Sequence, residues 1–158
     1  MLGEHRYEVE LEWQGDRGEG TSGYRAYGRQ HVVRAAGKMH EIAGSSDRVF
    51  HGDRDRWNPE ELLLTALSQC HMLSYLHVAT NHGVIVRAYS DSASGTMRED
   101  GRGGGAFTDA TLRPVVTVAD ASMLALADEL HAEAAKKCFI AASVAFPVRH
   151  DPTSIVAG

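Results

Sequence analysis

The sequence is poor in cysteine, proline and tryptophan, with two, four and two of them in 158 residues. Two cysteines make at most one disulfide, and a chain of this length buries a core without covalent staples. Neither Cys-x-x-Cys nor His-x-x-x-His occurs, so the common spacings of metal ligands are missing. There is no Lys/Arg-rich run, and the formal net charge is -5. Both facts disfavour a nucleic-acid partner, because phosphate binding needs a basic face. A membrane span needs about 20 mostly apolar residues. The longest apolar stretch, Leu62 to Ala79, is broken by Thr65, Ser68, Gln69, His71, Ser74 and His77. The opening Met1-Leu2-Gly3-Glu4-His5-Arg6-Tyr7 lacks the basic-then-apolar pattern of a signal peptide. The expected compartment is therefore the cytoplasm, where a cysteine pair is more often redox-active, metal-binding or simply buried than a permanent staple.

What is present fits an ordinary globular protein: 43% hydrophobic and 23% charged residues, in one expected domain over 1–158. Residues 5–13 alternate, with Tyr7, Val9, Leu11 and Trp13 on one side and Glu8, Glu10 and Glu12 on the other, which predicts a half-buried strand. Residues 23–34 and 38–43 read as two more strands around a turn at Gly37. Asn58, Pro59 and Glu61 form an Asn-x-x-Glu capping box that opens a long helix, and Gly83 stops it near His82. Its apolar positions spread widely around the axis, which predicts burial on most sides under a sheet. Residues 84–97 and 106–119 read as a strand pair, with Arg102-Gly103-Gly104-Gly105 as a flexible hairpin tip. Asp120 caps a second helix that runs to about Lys137, and a last strand covers 143–149. The order of elements predicts an α+β fold rather than alternating βαβ units.

The two cysteines lie in different elements, Cys70 about three turns inside the first helix and Cys138 at the end of the second. They can be structural residues, since free cysteine is commonly buried, or a reactive pair if the fold brings them within disulfide reach. A metal site is not expected. Cys70 and His71 are adjacent and diverge on a helix, and the other histidines are scattered; His71 and His77 read as helix-face or core residues. A cysteine hydrolase is a further possibility, but no histidine is clearly placed as its base.

The run Asn58-Pro59-Glu60-Glu61-Leu62-Leu63 followed by Ala66-Leu67-Ser68-Gln69-Cys70 resembles the Asn-Pro-Glu-x-Leu…Cys helix of the OsmC/Ohr family, the osmotically inducible protein C and organic hydroperoxide resistance proteins. The helix ending Ala134-Ala135-Lys136-Lys137-Cys138 resembles the family's second cysteine helix. After Cys138, Phe139-Ile140 departs from the family's usual Pro-Val-like pair. The resemblance implies antiparallel sheets wrapped around two long central helices in an intertwined homodimer. It implies reduction of organic hydroperoxides without a cofactor, by a peroxidatic Cys70 and a resolving Cys138, with Glu60 as a charge partner. It also implies an active-site arginine, for which Arg25 is the choice and Arg48 the competitor. An external dithiol, of dihydrolipoyl type by the same resemblance, would restore the thiols. The alternative is a non-catalytic small-molecule-binding or redox-sensing dimer of the same fold.

That chemistry has physical requirements. A thiolate, not a thiol, splits a peroxide bond, and an unperturbed cysteine with a pKa of about 8.5 is mostly protonated at neutral pH. The helix dipole fades within the first turn and burial favours the thiol, so a cation is needed. Arginine suits this role because it stays charged when desolvated. Glu60 would hold that arginine. Ten helical residues span about 15 Å, so Glu60 is expected to serve the partner subunit's Cys70 rather than its own.

Overall fold

The computed structural model describes residues 3–158, and the chain divides into two units, one ending at Leu62 and the other running Leu63–Gly158. The first is an antiparallel meander of three short strands: β1 (Glu10–Trp13), β2 (His31–Arg34) and β3 (Ile42–Gly44). The β1–β2 register sets Glu10 opposite Arg34 and Trp13 opposite His31. The Trp13 indole donates to the Gly28 carbonyl at 2.8 Å, and the Gly28 N–H donates to the Gly15 carbonyl at 2.7 Å. A Cβ on Gly15 would overlap the Gly28 carbonyl, so this crossing needs glycine.

The strand expected over 5–13 is paired only from Glu10, and Tyr7, Val9, Leu11 and Trp13 stay exposed, at 88%, 71%, 65% and 43%. The alternation is real, but within the described residues of the first unit its apolar side stays largely open, with only Trp13 meeting the Tyr27 ring edge-on. The expected strand over 23–34 is also shorter. Residues up to Tyr27 form turns and bends, and pairing begins only at His31.

Helix α1 (Pro59–Asn81) starts as expected. Asn58 Oδ1 accepts the Glu61 N–H at 2.8 Å, and Glu61 returns a carboxylate oxygen to the Asn58 N–H at 3.2 Å. Gly83 stops it at φ +75, a left-handed conformation that glycine adopts without strain.

The second unit packs two three-stranded sheets with helices. β4 (Val86–Asp91), β7 (Pro114–Val118) and β9 (Thr153–Val156) form one sheet; β5 (Ser94–Glu99), β6 (Gly105–Leu112) and β8 (Val148–His150) form the other. The expected strand pair over 84–97 and 106–119 is thus two pairs, β4 with β7 and β5 with β6. β8 and β9 then add in parallel to β6 and β7. The fold is mixed α+β, with parallel as well as antiparallel ladders.

Along β7, Pro114, Val116 and Val118 are buried in alternation, the period of a strand with one face on the core. On α1, Leu67, His71, Tyr75, Val78 and Ala79 form one buried stripe. Tyr75, Val78 and Ala79 pack with Val116, Val118, Ala127, Leu130 and Ala134. Leu67 packs with Ala110 and Leu112 in a second cluster. Burial is confined to this stripe and does not run all round, for Leu73 on another side is 62% exposed. Asp120 caps as expected, accepting the Ser122 N–H at 2.8 Å. A 3-10 turn leads into α2 (Leu124–Lys136), and a four-residue helix, α3 (Phe139–Ala142), follows Cys138. The strand expected over 143–149 begins only at Val148. Among the described residues, no helix is long and apolar enough to cross a membrane.

Candidate functional site

The two cysteines meet in the second unit. Cys70 lies on α1, three residues after Leu67, at the edge of the buried stripe, and is half-buried. Cys138 is the joint between α2 and α3. Its extended backbone (φ -79, ψ 107) breaks the helix, and its sulfur accepts the Ala141 N–H at 3.3 Å. It is 2% exposed. Both are free thiols.

The pair is asymmetric. Burial, then the hydrogen bond to the Cys70 sulfur, push the Cys138 thiol up to about 11; the Ala141 and Ile140 N–H groups oppose the shift without overcoming it. Cys138 therefore holds its proton at neutral pH, pressed against Cys70.

Cys70 also opens to a cavity of about 640 Å3, lined by Leu73, Ser74 and His77 of α1, with Lys136, Lys137 and Phe139 opposite. Cys70, Ser74 and His77 share one helix face at i, i+4 and i+7. The Ser74 hydroxyl donates to the Lys137 carbonyl at 3.4 Å, tying that face to the turn that carries Cys138. Lys137 is paired with Glu133 at 2.6 Å. Leu73 and Phe139, 62% and 78% exposed, give the cavity its apolar walls. A thiol at an apolar opening, backed by a second, protonated thiol, can accept oxidation at the first sulfur and close a disulfide with the second.

The other expected site residues lie in the first unit. Glu60 is half-buried in the first turn of α1. Arg25 sits in an exposed turn rather than in a strand, and Arg48 is exposed in a 3-10 turn. The most constrained arginine there is one that sequence reasoning passed over. Arg29 donates to the Tyr27 and Tyr24 carbonyls at 2.6 and 2.7 Å, and its guanidinium lies 4.1 and 4.6 Å from their ring centres. Tyrosines two and five residues earlier were the available signal.

His71 and His131, treated as isolated histidines in the sequence, are brought together in the core. They are 0% and 3% exposed, with Nε2 of His71 2.9 Å from Nδ1 of His131. Among the described residues, no group of three or more His, Cys, Asp or Glu is placed to hold a metal ion.

Comparison with known proteins places the fold. An OsmC-like protein from Vibrio cholerae, of unknown function, is 28% identical over 94% of this chain and 99% of its own, with a TM-score of 0.82. An organic hydroperoxide resistance protein OsmC from Legionella pneumophila superposes with a TM-score of 0.68 at 17% identity, covering 98% of this chain and 100% of its own. One from Elizabethkingia anophelis does so at 0.67 and 14%, with the same coverage. At those identities the likeness is one of fold. No protein of curated function matches significantly. The family model described as OsmC-like protein matches residues 51–152, which include both cysteines and the helix between the capping box and Gly83, and the chain therefore belongs to the OsmC-like family.

Proposed function

We propose that the protein is a thiol-dependent peroxidase that reduces organic hydroperoxides. The observation that carries this reading is the asymmetry of the thiols: Cys70 faces an apolar cavity, while Cys138 is buried behind it and protonated. The Cys70 thiolate attacks the outer peroxide oxygen. The O–O bond breaks, Cys70 becomes a sulfenic acid, and the departing alkoxide takes a proton to become the alcohol. Cys138 loses its proton and attacks the Cys70 sulfur; hydroxide leaves as water and a disulfide forms. An external dithiol, of dihydrolipoyl type, reduces the disulfide by exchange and is itself oxidised. The cycle suits a reducing compartment such as the cytoplasm.

Leu73 and Phe139 favour an organic over an inorganic peroxide, since an alkyl group gains from their apolar surface. An arginine, Arg25 first and Arg48 as competitor, supplies the positive charge that favours the Cys70 thiolate, and Glu60 holds that arginine in place. The working form is a homodimer. Its support is the exposed apolar surface: Tyr7, Val9, Leu11 and Trp13 in one unit, Leu73 and Phe139 in the other, more than an isolated soluble chain usually leaves uncovered.

Stopped-flow oxidation with cumene hydroperoxide, combined with a free-thiol count, tests this. Wild type is expected to lose two thiols per equivalent. Cys138→Ser should consume one equivalent and stop at the sulfenic acid; Cys70→Ser should consume none. Glu60→Gln is expected to slow the first step roughly tenfold, the rate equivalent of about 1.4 kcal/mol, because the arginine loses its anchor. Reversed behaviour of the two serine variants would exchange the cysteine roles, and a wild type inert to peroxide would leave a binding or sensing protein.

A further inference from the structure

The helices that position the two cysteines are joined by buried polar ties. The Tyr75 hydroxyl donates to the Ala127 carbonyl at 2.9 Å. One turn away on α1, His71, the residue directly after Cys70, meets His131 of α2 through the 2.9 Å contact already described. The Tyr75 ring stacks on His131 at 4.0 Å, and the His150 ring of β8 lies 4.2 Å from His71.

In the neutral couple one ring donates an N–H and the other accepts it. Either assignment leaves His71 Nδ1 and His131 Nε2, at the outer ends, buried without a protein partner. If both rings were protonated, two N–H groups would face each other and the bond would be lost. The groups around the couple are Tyr75 of α1, Tyr89 and Asp91 of β4, Asp128 of α2 and His150. Burial, then His150 and His131, hold the His71 pKa down to about 3. Burial and His150 hold His131 at about 4, although Asp128 and Asp91 pull the other way. Asp91 also raises His150, against a larger effect of burial.

We infer that His71 and His131 are positioning residues for the thiol pair: as a neutral, hydrogen-bonded couple they hold α1 against α2 and keep Cys138 seated on Cys70, and protons taken up by the couple loosen that seat and slow disulfide closure. The inference rests on the peroxidase reading and adds to it an acid-sensitive second step. Neither ring touches the peroxide, so the first oxidation does not depend on the couple.

The experiment is single-turnover oxidation by cumene hydroperoxide from pH 7.5 to 3.5, with rapid alkylation to separate sulfenic acid from disulfide. Cys138 alone lowers closure about tenfold per pH unit, because its thiolate must form. In wild type the slope is expected to steepen toward about two per unit at the acid end, as the couple takes up protons. His131→Gln keeps a donor for His71 but does not titrate; it should match wild type at pH 7.5 and overtake it at pH 3.5. His131→Leu removes the tie. It should close roughly fivefold more slowly at pH 7.5, about what one hydrogen bond contributes, with an unchanged first step and with its deficit vanishing in acid.

Parallel profiles of slope one in wild type and His131→Gln would overturn the inference. So would a His131→Leu protein slowed equally in both steps. If His131→Leu does not fold, the first two proteins decide. If cumene hydroperoxide oxidises nothing, the peroxidase reading falls. Disulfide closure driven by diamide over the same pH range then decides the role of the couple separately.

Discussion

Cys138 caps the helix that follows it: its sulfur accepts the N–H of Ala141 at 3.3 Å while its carbonyl accepts that of Ala142 at 3.1 Å. One side chain thus ends the run from α2, starts α3 and presents a sulfur to Cys70. A serine hydroxyl can take over the cap, and an alanine cannot. Cys138→Ala is expected to be less stable than Cys138→Ser by about 1 kcal/mol, measured by urea unfolding of the reduced proteins. The opposite order would mean that the sulfur stabilises nothing beyond its own burial.

Tyr75 is fully buried, and its hydroxyl is spent on the Ala127 carbonyl. Tyr75→Phe keeps the ring and loses one hydrogen bond to a carbonyl that α2 still pairs internally, so a loss of about 0.5–1.5 kcal/mol is expected. Tyr75→Ala opens a cavity as well and should lose about 3–5 kcal/mol. Equal losses in the two variants, by chemical denaturation, would show that the ring contributes nothing.

The buried histidines set the pH response of stability. Their folded-state pKa values lie below the ordinary 6.5, at about 3 for His71 and about 4 for His131. Above pH 6.5 both states are neutral and no penalty arises. Below it the unfolded chain binds protons that the folded chain refuses, so stability falls as the pH drops from about 6.5 toward 4. Urea midpoints across that range should fall for wild type. They should fall less for a His71→Leu/His131→Leu double variant, in which both partners are removed together.

Leu73 is 62% exposed on the face of α1 that carries Cys70 and Ser74. If a second copy covers that face, Leu73→Asp sets a carboxylate into a closing apolar surface, which costs several kcal/mol unless it is paired. Sedimentation velocity should then show wild type as a dimer and Leu73→Asp shifted to monomer. A monomeric wild type would refute the dimer.

The elements that sequence reasoning placed well are those fixed by local chemistry. The Asn58/Glu61 box opens α1, Gly83 ends it at positive φ, and Asp120 begins the second helical segment. Elements fixed by distant partners were read less well. The pairing of 84–97 with 106–119 was read correctly, as β4 with β7 and β5 with β6, but nothing local says that the two long segments divide between two sheets. The alternation of Tyr7 to Trp13 was visible, but the exposure of that side was not, because burial depends on what packs against a strand.

At the site, the cysteines were found through a motif and their roles through a resemblance. The asymmetry between them depends on burial, which neither shows. His71 and His131 are 60 residues apart, and no spacing rule joins histidines on separate helices. Arg29 was overlooked because two of its contacts are backbone carbonyls, which every residue possesses, and the tyrosines that could have pointed to it were not weighed.

The two closing strands, β8 and β9, are separated by only Asp151 and Pro152, yet each lies along a different sheet. A single short tail therefore acts as hem for both ladders. Shaving it away at Pro147 would bare β6 and β7 together, and two raw borders with unmet amide groups invite other chains to stick. Fraying of this segment would consequently be punished as clumping before it registered as lost chemistry.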